Sequence, residues 1–293
     1  MNNSLDLSII IVSYNTKSLL ENCLRSIFQS LLNSILKFEV IVVDNHSNDG
    51  SQELIKTQLT SVRLIENADN AGFGKANNQG IKLAQGETIL LLNSDIVVLD
   101  QAIPKLYYFL KNLDHEAIVA GKLFNDDQSP QASCGPAYTL PMIFTALFLK
   151  GDKRQITRYS PDETREVDWV MGACMMADKH TFINTPFDES IFMYMEEIDL
   201  QLRAKRRRVK IYFYPPAHFI HKGAGSSHGR AAPILNVFKG FLFYYKKHFG
   251  LGKVLLLRTI LIVKSILAII LFILLGRSYD RDIYVKALKV SIS

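Results

Sequence analysis

Cysteine is scarce in this chain of 293 residues. Its three cysteines, Cys23, Cys134 and Cys174, lie far apart and form no CxxC pair. The spacing argues against a zinc site and against a disulfide framework, and it fits a reducing cytoplasm. The first residues carry neither a basic segment nor a cleavage site, so the sequence predicts no secretory signal.

Two glycine-rich nucleotide-binding motifs are also missing. A GxGxxG fingerprint would follow the first strand directly, but the residues there read SYNTKS and include no glycine. The later stretch AGFGKANNQG has Gly72 and Gly74 but places Asn77 where the third glycine belongs. The sequence has no P-loop either. Dehydrogenases and nucleoside triphosphatases are therefore disfavoured, as is a sugar nucleotidyltransferase, which needs a glycine-rich basic loop after the first strand.

Acidic residues are almost absent from the last third of the chain. Residues 201–293 carry 18 Lys and Arg against only Asp280 and Asp282, a net charge of +16. Residues 1–200 carry 16 Lys and Arg against 26 Asp and Glu, a net charge of −10. Such a split indicates a basic surface for an anionic partner, and nucleic acid is one such partner.

The basic region also contains the most apolar stretch, VLLLRTILIVKSILAIILFILLG (254–276). Basic charge beside a long apolar run favours an anionic membrane surface over nucleic acid as the partner. A spanning helix would move the basic residues after 276 across the membrane, against the positive-inside tendency. The sequence therefore predicts a helix that lies in the membrane interface (monotopic attachment), with a true span and a soluble packing helix as alternatives.

Hydrophobic periodicity predicts an α/β fold, a mainly parallel central sheet with helices on both faces. Predicted strands cover 7–13, 39–43, 62–65, 88–92 and 117–120, and predicted helices cover 17–31, 51–58, 73–85 and 101–112. Farther along, a short apolar helix near 142–149, a helix over MYMEEIDLQLRAKRRR and a strand over VKIYFYP are expected. We divide the chain into a catalytic domain (1–235) and a C-terminal helical membrane-associating region (236–293).

Polar clusters follow the predicted strands. They read Ser13-Tyr14-Asn15, Asp44-Asn45 and Asn93-Ser94-Asp95. Each alone is typical of a turn. Parallel sheets bind ligands at the carboxyl ends of their strands, so three such clusters predict a ligand site there.

The ordered set of motifs resembles the family 2 glycosyltransferases of the GT-A (nucleotide-diphospho-sugar transferase) fold. It comprises SIIIVSYN, VIVVDNHSNDGS, NAGFGKANNQGI, LLLNSD, GACMM and FMYMEEIDLQLRAKRRRVKIYFYPPAHFIHKGAGSS, over residues 7 to about 227. The subgroup most alike is the bacterial rhamnosyltransferase-type enzymes of cell-surface polysaccharide synthesis, such as O-antigen.

The resemblance implies an inverting, metal-dependent transfer at the cytoplasmic face of the bacterial inner membrane. A sugar, with L-rhamnose from dTDP-rhamnose as one candidate, would pass from a nucleotide-diphospho-sugar to a lipid-diphosphate-linked saccharide. A UDP-hexose-dependent enzyme of the same fold and a non-catalytic sugar-nucleotide-binding membrane scaffold are the alternatives. A homo-oligomer is left open.

The resemblance also implies a donor site. Its residues are Ser13, Tyr14, Asn15, Asp44, Asn70, Gly72, Asn78, Asn93, Ser94 and Asp95. Asp44 would accept a hydrogen bond from the pyrimidine base, and Asn70, Gly72 and Asn78 would lie near the ribose and diphosphate. The alternative is that these are turn and cap residues.

NSD stands where the family has its DxD motif, so Asp95 would bind a divalent cation, Mg²⁺ or Mn²⁺. Asn93 replaces the first Asp, which leaves one carboxylate. His221 matches a histidine that can complete the metal shell, although a lone histidine is as often structural.

The expected general base is Glu197, with Glu196 and Asp199 as alternatives. Asp199 could instead simply pair with Arg203 four residues on. The resemblance places the acceptor beside Trp169, Gly172 and Ala173. Trp169 would stack on a sugar or pack in the core.

Overall fold

The first half of the chain folds as alternating strands and helices. In the computed structural model, which describes residues 4–223 and 231–293, these are β1 (Leu5–Ser13), α1 (Lys17–Leu31), β2 (Phe38–Asp44), α2 (Ser51–Gln58), β3 (Val62–Glu66), α3 (Phe73–Leu83) and β4 (Gly86–Asn93). The four strands are parallel, in the order β3-β2-β1-β4. They are apolar on both faces because helices cover both sides of the sheet, and Ile9, Ile10 and Ile11 are all fully buried.

The second half extends the sheet. It contributes β5 (Ile96–Val98), α4 (Ala102–Lys111), β6 (Ala117–Phe124), β7 (Cys134–Gly135), α5 (Leu140–Phe148), β8 (Arg165–Glu166), β9 (Trp169–Val170), β10 (Cys174–Asp178), α6 (Lys179–Asn184), α7 (Glu196–Arg206) and β11 (Lys210–His221). The main order is β3-β2-β1-β4-β10-β6-β11-β5, with β8 beside β11. β10 runs antiparallel to both neighbours, which makes the predominantly parallel sheet a mixed one.

An irregularity in β11 precedes its pairing with β5, the short strand that follows the NSD turn. The register against β6 shifts between Tyr214 and His218, around two consecutive prolines that cannot donate to a strand ladder. Gly121 makes room for this bulge, since a Cβ there would lie 2.4 Å from the Phe219 ring. After the bulge, His221 pairs with Ile96 of β5. The sequence pattern predicted neither β5 nor the extension of β11 to His221.

Three helices close the chain: α8 (Ala231–His248), α9 (Leu251–Leu274) and α10 (Ser278–Ile292). They pack on the start of α7 through a shared apolar cluster that includes Met195, Ile198, Tyr245, Leu257 and Ala287. The predicted boundary between residues 235 and 236 falls inside α8, and the C-terminal helices share a core with the rest of the chain. In the ranges that the structure describes, α9 is the one helix long and apolar enough to cross a membrane.

Candidate active site

A network around Asp44 joins the carboxyl ends of β1 and β2. The Asp44 carboxylate is fully buried and accepts hydrogen bonds from Ser47 N (2.8 Å), Ser47 Oγ (2.6 Å) and Gln52 Nε2 (2.7 Å). Asn15, in the left-handed region at φ 53°, accepts a bond from Asn48 N at 2.7 Å. Asp44 and Asn15 thus lie together as expected, but the bonds shown are to protein groups. A bond from Asp44 to a base stays a prediction.

A chain of hydroxyls links β1 to the NSD turn. Ser13 Oγ lies 3.1 Å from Thr16 Oγ1, which donates to Ser94 Oγ at 3.0 Å. All three residues are buried, whereas Tyr14 is partly exposed beside them. The structure therefore brings Ser13 and Ser94 together through Thr16, a residue that the sequence reasoning did not select.

The AGFGKANNQG segment positions the chain that leads into α7. Gly72 has φ +84°, and a Cβ there would lie 2.8 Å from Phe192 O, so glycine is needed for this close approach. Asn70 Oδ1 accepts the Gly72 N–H at 3.1 Å. Asn78 bonds both the N–H and the carbonyl of Phe187 at 3.0 Å. The contacts of Asn78 are structural, and its predicted nearness to the diphosphate stays untested.

Asp95 and His221 meet beside the NSD turn. Gln131 Nε2 donates to Asn125 Oδ1 (2.9 Å), so Gln131 Oε1 is the acceptor for His221 Nδ1–H at 2.8 Å. The other ring nitrogen, His221 Nε2, faces Asp95 Oδ1 at 3.4 Å. An imidazole nitrogen and a carboxylate oxygen at this distance can ligate one divalent cation. Asn93 Oδ1, also buried, has no hydrogen-bond partner among the residues described.

These groups fit a hard divalent cation as a partial site. Carboxylate, amide oxygen and a neutral imidazole oriented by a second hydrogen bond are all suitable ligands. The parts of the chain that the structure covers contain no group of three or more His, Cys, Asp or Glu that could hold a metal. A cation here would therefore draw further ligands from a bound diphosphate or from water.

Gly172 and Ala173 lie between the NSD turn and α7. Ala173 O accepts the Asn93 N–H at 3.0 Å, which ties the segment to the end of β4. A Cβ on Gly172 would lie only 3.3 Å from the Glu197 Cβ. The expected acceptor-side glycine and the expected base are therefore neighbours.

The turn before α7 is strained, and two buried carboxylates follow it directly. Tyr194 and Met195 have φ of 68° and 72°, a region that side chains other than glycine rarely adopt. Burial raises the pKa of Glu196 well above its ordinary value, and the charge of Glu197 raises it further. Burial also raises the pKa of Glu197, against lowering by its own backbone N–H and by Arg158. One oxygen of each carboxylate is buried without a partner in the described part of the chain.

Asp199 is held by two cationic side chains and a histidine. Its fully buried carboxylate accepts bonds from Arg203 Nε (2.8 Å), Lys247 Nζ (2.8 Å) and His248 Nε2 (2.6 Å). Burial alone would raise its pKa, but the Lys247 bond, the Arg203 charge and the His248 bond together lower it. The pairing of Asp199 with Arg203, considered above as an alternative to catalysis, is present.

Trp169 packs in the core, and Arg158 lies over it. The indole donates to Pro136 O at 2.9 Å and stacks on Tyr138, so the structure favours the packing role for Trp169. The Arg158 guanidinium lies 5.4 Å from the indole centroid. Arg158 also lines a cavity of about 340 Å³ together with His221 and Met171. The sequence reasoning missed Arg158 because it lies in a stretch without periodicity.

Residues 224–227, the last four of the motif HKGAGSS, lie outside the described residues.

Residues 8–166 match the model of a protein family described as glycosyl transferase family 2. The match covers more than half of the chain. The chain belongs to this family. The predictions of a family 2 glycosyltransferase and of the GT-A fold are thereby confirmed at the level of family and fold.

Relatives and solved structures agree with this assignment. The chain is 28% identical over 213 residues to the low-salt glycan biosynthesis hexosyltransferase Agl10 of Haloferax volcanii, covering 70% of this chain and 64% of that relative. It is 25% identical over 241 residues to the N-acetylglucosaminyl-diphospho-decaprenol L-rhamnosyltransferase of Mycobacterium tuberculosis (75% and 77%). The match to Agl10 covers less than two thirds of that relative's length. A crystal structure of GalNAc-T7 with UDP, GalNAc and Mn²⁺ shares the fold, with a TM-score of 0.60, 16% identity and coverage of 84% of this chain and 48% of that one.

Replacing Glu197 by Gln should separate its predicted role as the base from donor binding. We expect Glu197→Gln to lose about 10²–10⁴-fold in transfer, because an amide cannot take the acceptor proton. Donor affinity, measured by calorimetry, should be retained. Since the pKa of Glu197 is raised, wild-type transfer should increase with pH through a value above 4.5, as the carboxyl loses its proton. Near-normal turnover in Glu197→Gln with an inactive Glu196→Gln would move the role to Glu196.

Replacing Asp199 by Asn should instead reduce stability. Removing one partner of a buried ionic cluster leaves the cations uncompensated, so we expect a loss of about 3–5 kcal/mol in the free energy of unfolding. Because the folded-state pKa of Asp199 is depressed, this stabilisation is present above the ordinary pKa and is lost as pH falls through the lowered value. Denaturant unfolding of the detergent-solubilised protein, repeated over a range of pH, would measure both the loss in the free energy of unfolding and its pH dependence. The exposed Asp282, replaced in the same way, is the control; an Asp199→Asn variant as stable as wild type but inactive would make Asp199 a catalytic group.

Proposed function

We propose that this chain is an inverting, metal-dependent glycosyltransferase that uses a nucleotide-diphospho-sugar donor and a lipid-diphosphate-linked saccharide acceptor. The observation that carries the proposal is the meeting of the NSD turn and Glu197 across Gly172 and Ala173. One side supplies groups suited to a diphosphate, and the other supplies a carboxylate whose pKa is raised by burial. A non-catalytic scaffold would have no use for two strained residues and two buried acids at one point.

Glu197 would act as the general base of a single displacement. The acceptor hydroxyl oxygen bonds to the anomeric carbon as the bond from that carbon to the diphosphate breaks, and the hydroxyl proton passes to the Glu197 carboxylate. Attack opposite the leaving group inverts the configuration. Gly172 has no side chain, so an acceptor can approach Glu197 closely there.

Asp95 and His221 would hold the cation, and the orphan oxygen of Asn93, two residues before Asp95, is a further candidate ligand. A bound Mg²⁺ or Mn²⁺ would neutralise the negative charge of the leaving diphosphate. The GalNAc-T7 structure contains Mn²⁺, which supports testing that metal first.

A panel of dTDP-, UDP- and GDP-sugars would identify the donor, with the release of nucleoside diphosphate as the measurement. L-rhamnose from dTDP-rhamnose comes first because the relative from Mycobacterium tuberculosis is named an L-rhamnosyltransferase. A UDP-hexose comes second because Agl10 is named a hexosyltransferase. Failure of every donor with metal present would contradict the proposed function.

Replacing Asp95 by Ala should abolish most of that release. We expect a loss of about 10²–10³-fold, because the leaving diphosphate then lacks part of its counter-charge. His221→Ala should have a smaller effect. The matched control for the Asp95 variant is Asp114. This exposed residue precedes β6, at the amino ends of the parallel strands and so away from the NSD turn. Full activity in excess chelator would overturn the metal role.

The same proposal places the enzyme at the cytoplasmic face of a bacterial membrane, attached through α9. One face of α9 packs inside the protein through Val254, Leu257, Leu261, Ser265 and Ala268. The rest of its surface carries large exposed apolar side chains: Leu255, Leu256, Val263, Ile266, Leu267, Ile270, Leu271, Ile273 and Leu274. A helix with one face on the protein and another apolar face exposed is suited to lie in the membrane interface.

The two charges inside the apolar stretch support the interfacial placement. Arg258 donates to Ser291 O in the last turn of α10, and Lys264 donates to Leu147 O in the last turn of α5, both at 2.8 Å. Each cation satisfies a carbonyl at the negative end of a helix. A transmembrane α9 would have to break these bonds or carry α5 and α10 into the membrane with it.

Placing two acids on the exposed face of α9 should weaken membrane binding. For the double variant Ile270→Glu, Leu274→Glu we expect at least a tenfold loss of co-flotation with phosphatidylglycerol vesicles, because two large apolar side chains no longer enter the interface. The matched control is Leu32→Glu, Ile35→Glu, which changes two exposed apolar residues between α1 and β2. A C-terminal tag accessible only from the periplasm would show instead that α9 spans.

A further inference from the structure

Helix α5 is apolar nearly all round and yet lies at the surface. Its sequence is LPMIFTALF, and Ile143 is its one fully buried residue. Phe144 is 44% exposed and stacks on Phe148 at 4.7 Å between ring centroids, and the following Leu149 is 47% exposed. A short helix with this composition is normally covered, so its outer face needs an apolar environment.

The exposed face of α5 is continuous with that of α9. Lys264 of α9 donates to Leu147 O at 2.8 Å, and its ammonium lies 5.6 Å from the centroid of the Phe148 ring. Leu267 and Leu271 are three and seven residues beyond Lys264, so they share its side of the helix, and both are about half exposed. The two helices thus present one apolar surface.

A basic loop follows α5 directly. Lys150, Lys153 and Arg154 are all exposed, and they form no ion pair with any residue that the structure describes. The loop is built around Gly151, whose carbonyl accepts the Ile156 N–H at 2.9 Å and whose missing Cβ leaves room for Thr157. The cations are therefore presented on an ordered turn at the border of the apolar surface.

Arg158 continues this series of cations into the catalytic cleft. It lines the cavity of about 340 Å³ together with His221. Its Nε is buried and has no hydrogen-bond partner in the described ranges. Its charge also opposes the rise in the pKa of Glu197, so its field reaches the proposed base. Cations therefore extend from the edge of the apolar surface to the reacting groups, and Asp152, an acid that also lines the cavity, accepts a hydrogen bond from Thr157.

We propose that residues 140–158 form the docking site of the lipid-diphosphate acceptor. The inference rests on the proposed function and adds where its acceptor binds. The isoprenoid chain would lie along the apolar surface of α5 and α9. Its diphosphate would bind Lys150, Lys153 and Arg154, and the saccharide would extend past Arg158 to Glu197. The occupant is deduced from the order of the surface: an apolar segment, then anion-binding charge, then the catalytic base.

The test uses the full-length protein and two vesicle compositions. One contains phosphatidylcholine with undecaprenyl diphosphate, and the other contains phosphatidylcholine with phosphatidylglycerol at equal total charge. We expect wild type to bind the first about tenfold more tightly by co-flotation, because three cations clustered on one turn match a diphosphate better than they match dispersed single charges. The triple variant Lys150→Ala, Lys153→Ala, Arg154→Ala should bind both about equally, through α9.

The matched control removes three exposed cations near α9, as Lys253→Ala, Lys286→Ala, Lys289→Ala. It should lose affinity for both vesicles and keep the preference for undecaprenyl diphosphate. Absence of a preference in wild type, or a preference that persists in the loop variant, would overturn the proposal. Because vesicle binding needs no donor and no turnover, its result stands apart from the donor panel. If wild type prefers the undecaprenyl diphosphate vesicles but releases no nucleoside diphosphate from any donor, the proposed function is refuted and the lipid site stands.

Discussion

The site depends on the turn at Tyr194 and Met195, which sets the direction in which α7 begins. Two adjacent residues at positive φ cost about 1–3 kcal/mol each and persist only where their surroundings hold them. Helix α8 holds this turn closely: a Cβ at Gly240 would lie 2.7 Å from Met195 Cγ and 3.1 Å from Tyr194 O. The Asp199 cluster then fixes α7 to the end of α8 through Lys247 and His248.

This arrangement gives three neighbouring acids different states. Asp199 is buried with cations around it, and its pKa is lowered. Glu196 and Glu197 are held near one another with little compensation, and their pKa values are raised. Acid–base sites typically contain neighbouring carboxyl groups whose environments give them different pKa values. Asp199 therefore holds the helix, and the two glutamates have the raised pKa values that suit a general base.

The sequence predicted what short-range patterns determine. The four parallel strands of the first half appear at the predicted places, because apolar runs of strand length between amphipathic helices have few other ways to be buried. The spacing of Asp199 and Arg203 also predicted their pairing. β5 was missed because its three residues are a strand only through pairing with β11, more than a hundred residues later. Lys247 and His248 were missed as partners of Asp199 for the same reason.

Arg258 and Lys264 show why the membrane arrangement needed the structure. Counted along the sequence, each is a charge inside an apolar run and an unfavourable term for insertion. In the fold, each reaches a carbonyl at the C-terminal end of a packed helix, so neither charge faces the exposed apolar side of α9 alone. The bond of Lys264 to Leu147 also fixes α5 against α9, which brings the surface that would meet lipid to the border of the catalytic cleft. Lys264, one of the two charges that make a span unfavourable, therefore also joins the apolar surface to the active site.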